Sequence, residues 1–166
     1  MKRLLSAACL MLLASSLSAA AAEGTGKVAF LGLVFLDTST EGDYNGIRED
    51  EAQRLELLEE EVRKRFLAEG YDLLDLGPIA EELENTVNPA DCYGCDFRMA
   101  EKLGAEYVLV GVVQKVSNLI LSMNLVMKDV ETKDVTHARS VDIRSNTDDS
   151  WLRGMRYIMK TAFFKE

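Results

Sequence analysis

The sequence predicts a single α/β domain: one mixed sheet of roughly five strands with helices packed on it, in the order β-α-β-α-α-β-β-β-α. Three observations carry this expectation. Lys27–Asp37 (KVAFLGLVFLD) is a continuous apolar run rich in Val, Leu and Phe, the pattern of a buried strand. Leu55, Leu58, Val62 and Phe66 recur at steps of three and four, which makes one stripe of a helix. Between Leu119 and Val130 apolar residues alternate with Ser122, Asn124 and Lys128, as in a strand with one covered face.

The remaining elements follow in order. Thr38–Asp50 is polar and holds Gly42 and Gly46, so it reads as a loop. The helix over Glu51–Glu69 starts acidic and ends at Gly70, a suitable C-terminal cap. Tyr71–Leu76 is a short strand closed by Gly77-Pro78, and Ile79–Thr86 is a short helix ended by Asn88-Pro89. Asp91–Leu103 is helical, stopped by Gly104. Tyr107–Val116 is an apolar, β-branched strand, Ser117-Asn118 a tight turn, and Val135–Arg144 the last strand. Thr147 or Asp148 caps a final helix whose apolar stripe includes Trp151, Met155, Ile158 and Phe163.

Residues 1–22 have a basic start at Lys2 and Arg3, an apolar core from Leu4, and small residues ending in Ala20-Ala21-Ala22. This is the three-part pattern of a secretory leader, and the apolar run is too short to span a membrane. The expectation is therefore a leader over 1–22 and one secreted domain over 23–166, in the periplasm and without a stable membrane anchor after cleavage. Ser6 stands where a lipoprotein signal at Cys9 wants Leu, which argues against lipidation there. Cleavage removes Cys9 and leaves one cysteine pair, and it moves the net charge from −9 to −11. That acidity excludes a nucleic-acid-binding surface, which needs clustered Lys and Arg.

Cys92-Tyr93-Gly94-Cys95 is the sharpest chemical motif. We read it as a structural disulfide. The alternative is thiol-disulfide exchange, with Cys92 as nucleophile at a helix start and Cys95 as resolving thiol. Asp96 stands where haem attachment needs His, and His137 is the only histidine for a zinc site, so neither cofactor is expected. Asp37, Ser39, Glu41, Gly42 and Asp43 are spaced like a calcium loop, but Arg48 occupies the position of the bidentate Glu, so no metal is expected there either. His137 shares a strand face with Val135 and Val141 and reads as a strand residue. Asp148-Asp149 favours the last helix's N-terminus, and Trp151 reads as core.

CYGCDFRMAEKLGAEYVLVG (92–111), VQKVSNLILSMNLVMKDVETKDV (113–135) and SVDIRSNTDDSWLRGMRYIMK (140–160) resemble a family of uncharacterised secreted bacterial proteins catalogued as a domain of unknown function. More loosely, the layout resembles the TolB amino-terminal domain and related periplasmic α/β modules. The shared features are the LGAEYVLVG strand entry and the DVETKDV turn, where Lys133 replaces the glycine of those modules. The resemblance implies a non-catalytic binding or assembly module for an unknown periplasmic protein. An accessory role in periplasmic quinoprotein alcohol oxidation is a further alternative. The surfaces expected to meet a partner are the loop Asp37–Glu49, the Cys92–Cys95 turn and the segment Ser145–Trp151. Within them the candidate contact residues are Asp37, Glu41, Asp43, Tyr93, Asn146, Asp148, Asp149 and Trp151.

Overall fold

The strand β1 (Lys27–Asp37) organises the architecture. In the computed structural model, which describes residues 25–164, β1 pairs in parallel with β2 (Asp72–Leu73) on one side and β3 (Tyr107–Ser117) on the other. An antiparallel meander of β4 (Ile120–Asp129) and β5 (Val135–Arg144) completes the sheet in the order β2-β1-β3-β4-β5. The expected α/β class and mixed five-stranded sheet are observed. The leader and Cys9 lie outside the described residues. Among the described residues no helix is long and apolar enough to cross a membrane.

Both faces of β1 are buried in its first half, which is why the run reads as unbroken apolar sequence. Val28 and Phe30 enter the larger core, formed with Leu58, Val62 and Phe66 of α2 (Glu49–Ala68) and with Trp151, Met155 and Ile158 of α5 (Asp148–Ile158). Ala29 and Leu31 enter the smaller one, under Met99 and Ala100 of α4 (Cys95–Leu103). A bulge between Phe30 and Leu33 then resets the register, so that Leu33 and Phe35 return to the larger core. Gly32 allows it with φ +94°, and the Leu33 N–H donates to Glu59 Oε1 of α2 at 2.7 Å. A π-helical turn, Met159–Phe163, extends α5 and brings Phe163 and Phe164 against Phe66.

Several boundaries differ from the sequence expectation. The loop after β1 contains a short helix, α1 (Thr40–Asn45), because the Ser39 side chain caps it by accepting the Gly42 N–H, and Glu41 and Asp43 acidify its first turn. The strand expected over Tyr71–Leu76 keeps only Asp72–Leu73. The helix expected from Ile79 is a 3-10 turn (Gly77–Ile79) followed by α3 (Ala80–Glu84). The helix expected from Asp91 begins at Cys95, since Tyr93 (φ 53°) and Gly94 (φ 88°) are left-handed and cannot join a helix.

Candidate functional site

The connection from β1 to β2 runs through α2 and that from β2 to β3 through α4, on opposite faces of the sheet. The chain's direction across the sheet therefore reverses between β1 and β3. In open α/β sheets the crevice beyond the carboxyl ends of such strands is the usual ligand position. Here Asp37 ends β1 and is the direct cross-strand partner of Lys115 on β3.

Both side chains follow the apolar phase of their strands. Asp37 continues Leu33 and Phe35; Lys115 continues Leu109 and Val113. Lys115 is 0% exposed, and its Nζ lies 2.7 Å from Glu51 Oε1, 3.1 Å from Asp37 Oδ2 and 3.4 Å from Glu41 Oε2. Glu51, also 0% exposed, extends the buried stripe of α2 that runs through Leu55, Leu58, Val62 and Phe66. Burial alone would lower the Lys115 ammonium pKa, but the Glu51 and Asp37 carboxylates outweigh it and raise the pKa above its ordinary value. Burial would likewise raise the Asp37 carboxyl, yet the Ser39 hydroxyl and N–H, with Lys115, hold it below the usual carboxylate range.

The cluster extends to the segment before α5. Asn146 Nδ2 donates to Glu51 Oε1 at 2.7 Å, and its Oδ1 accepts the Trp151 indole N–H at 3.0 Å and Arg54 Nη1 at 3.3 Å. Arg54 also donates to Asp148 at 2.8 Å and to Asp50 at 2.9 Å. Trp151 stacks on Phe35 with ring centroids 5.7 Å apart. Two segments picked from the sequence as separate surfaces, Asp37–Glu49 and Ser145–Trp151, thus meet around Lys115 and Glu51. Above them lies a shallow groove of about 370 Å³ lined by Ser39, Glu41, Val116, Asn118 and Leu119, among others.

The candidate residues divide accordingly. Asp37, Glu41, Asn146 and Asp148 join the network, and Glu41 also accepts Asn118 Nδ2 at 2.8 Å. Trp151 is fully buried; it supports the site from beneath, and its ring forms no part of the surface, which corrects its place among the contact residues. Asp43 is exposed on α1, and Asp149 pairs with Arg153 at 2.5 Å in solvent. The Cys92–Cys95 disulfide, with Cα atoms 5.4 Å apart, belongs to the other face of the sheet, where Cys95 is buried and Tyr93 is 100% exposed. Next to it Asp96 pairs with Lys128 at 2.8 Å. His137 stacks on Phe163 at 5.3 Å. Among the described residues no three or more His, Cys, Asp or Glu side chains are grouped to hold a metal ion. The sequence reading missed Lys115, Glu51 and Arg54.

Comparison with solved structures places the fold among known ones. The LpoB C-terminal domain from Salmonella enterica superposes with a TM-score of 0.51 and 13% identity over 74% of this chain and 84% of that one. The lipoprotein GNA1162 from Neisseria meningitidis gives a TM-score of 0.51 and 13% identity over 79% and 92%. At these identities the likeness is one of fold. No curated protein matches the chain in sequence. The sequence profile of DUF3280, a protein of unknown function (DUF2380), covers residues 26–163, and the chain belongs to that family.

Proposed function

We propose that the chain is a non-catalytic binding or assembly module acting outside the cytoplasm, and that it presents the end of the sheet formed by Asp37–Glu49 and Ser145–Trp151 to a partner protein. The observation that carries this reading is the filling of the β1/β3 crevice by Lys115 and its carboxylates. An ammonium already neutralised by Asp37 and Glu51, with no solvent exposure, has no lone pair or free charge to offer a substrate. Its role is to join β1, β3 and α2, and through Asn146 the start of α5, into a rigid platform. The secretory pattern of residues 1–22, the cysteine pair, and a fold shared with a protein described as a lipoprotein support a location outside the cytoplasm. The disulfide then serves to pin the turn that starts α4.

The test is site-specific photo-cross-linking in cells that naturally make the protein. A photoreactive residue at Asp43 or Asp149 should give a discrete protein adduct, the same at both positions, and one at Glu131, at the far end of the sheet, should not. The reading fails if Asp43 and Asp149 yield no adduct, or if Glu131 yields the same one.

A further inference from the structure

We propose that the outer edge of β5 binds an extended acidic segment of a partner protein as an added strand. The proposal deepens the binding reading by naming the chemistry of a partner, and it concerns a surface next to the Lys115 platform. β5 is the terminal strand of the sheet, so no other strand among the described residues occupies its outer side. The Ser145 N–H donates to the Leu119 carbonyl, which sets the parity of the ladder: the backbone groups of Ala138, Ser140, Asp142 and Arg144 turn away from β4, toward the open edge. The Arg144 carbonyl is met there by the Ser150 hydroxyl at 2.6 Å, which marks where α5 closes the edge and where an added strand would stop.

Beside this edge runs a groove of about 630 Å³ between β5 and α5. Its walls carry Arg139, Arg144, Arg153 and Tyr157, against one carboxylate, Asp142. This is a basic groove in a chain of net charge −9. Arg144 has no ion-pair partner among the described residues. Arg153 holds Asp149 only in solvent, a pairing worth little and readily exchanged. Arg139 lies over the Tyr157 ring at 5.8 Å and donates to the Tyr157 hydroxyl at 3.3 Å in the groove wall. Gly154 lets α5 approach so closely that a Cβ there would stand 2.7 Å from Ile143 Cγ2, which fixes the groove's floor. An incoming strand finds backbone partners along β5, and its side chains on the α5 side face Arg139 and Arg153, whereas Arg144, which alternates with the core-facing Val141 and Ile143, meets those on the opposite side. Alternate Glu or Asp residues there match the charge, while an acidic second copy of this chain gains nothing comparable. Charges along an edge also serve to keep strands apart, and the experiment separates the two roles.

The probe is a fluorescein-labelled synthetic peptide of about nine residues alternating Glu with Val or Thr, read by anisotropy against the full secreted chain. Two controls are a Lys-for-Glu peptide and an acidic peptide with a central Pro, equal in charge but unable to complete the ladder. The expected result is saturable binding of the acidic peptide, at least about tenfold weaker binding of both controls, and slowed hydrogen exchange at the Ser140 amide. Ser140→Pro removes an edge donor without breaking the β4 ladder and should abolish binding; should it unfold the chain, Arg153→Glu replaces it, with the same expected loss. The proposal is overturned by equal binding of the Pro or Lys peptide, by no binding of the acidic peptide at millimolar concentration, or by a dimer in which the Ser140 amide is already protected. Each of these outcomes leaves the cross-linking result at Asp43 and Asp149 unaffected, so the two readings fail separately.

Discussion

Lys115 Nζ and Glu51 Oε1 stand 2.7 Å apart, with both residues fully buried, and they join the third strand to the start of the second helix. Removing one partner strands the other charge in the interior. Lys115→Met or Glu51→Leu alone should each cost about 3–5 kcal/mol by urea unfolding. The double variant Glu51→Leu/Lys115→Met should cost clearly less than the sum, because it leaves no unpaired ammonium or Glu51 carboxylate in the interior, although Asp37, Glu41 and the Asn146 amide and Arg48 N–H that donated to Glu51 must find other partners. Additive losses would show that the two side chains are energetically independent.

The same cluster sets the pH dependence. Asp37 has its folded pKa lowered, so its contribution is complete above the ordinary carboxylate pKa of about 3.9 and is lost as pH falls through the lower folded value. Lys115 has its folded pKa raised, so its contribution is complete below about 10.4 and is lost as pH rises through the folded value. Stability should therefore be nearly flat across neutral pH with losses at both extremes. Trp151 is the only tryptophan and donates to Asn146 inside the network, so its fluorescence follows both limbs. Asp37→Asn should flatten the acid limb; an unchanged limb would place the acid sensitivity elsewhere, for instance at Glu61, whose carboxyl Arg156 also holds low.

Breaking the Cys92–Cys95 bond should have a modest effect, because the loop is short. Cys92→Ser/Cys95→Ser should lose about 2 kcal/mol, and the bond's reduction potential should lie below about −300 mV. A potential near −120 to −200 mV would favour the exchange reading instead.

The β1 bulge gives a further test. Glu59→Ala deprives the Leu33 N–H of its acceptor and should cost about 1–3 kcal/mol. Gly32→Ala forces a side chain onto φ +94° with its Cβ 2.8 Å from Glu59 Oε1, and should cost more than about 1 kcal/mol. If calorimetry shows either variant melting with the parent, the bulge is not fixed by these two residues.

The long elements were legible because each has one clear period: three- and four-residue steps in α2, alternation in β4, an unbroken run in β1. The short ones were not, because their ends rest on local devices that periodicity does not carry, such as the Ser39 cap of α1 and the left-handed Tyr93-Gly94 pair before α4. The platform was half legible. Its rim residues stand out as polar loops, but the sequence reading singles out neither Lys115, inside the apolar run of β3, nor Glu51, in the acidic start of α2. Their signal was present in the phase: each charge occupies a position that its element's own period assigns to the core. Opposite charges at core-phase positions of two elements predict a buried pair, and the cross-strand register that brings Asp37 to them emerges only from the fold.

The most direct test of the account is the cross-linking yield at Asp149 in the variant Asp37→Asn/Glu51→Leu/Lys115→Met, after circular dichroism has shown it to be folded. If the ion cluster packs the platform and performs no chemistry, the partner adduct forms within about twofold of the parent yield. Loss of the adduct by about tenfold or more in a folded variant would contradict the account, because the buried charges themselves would then be what the partner requires.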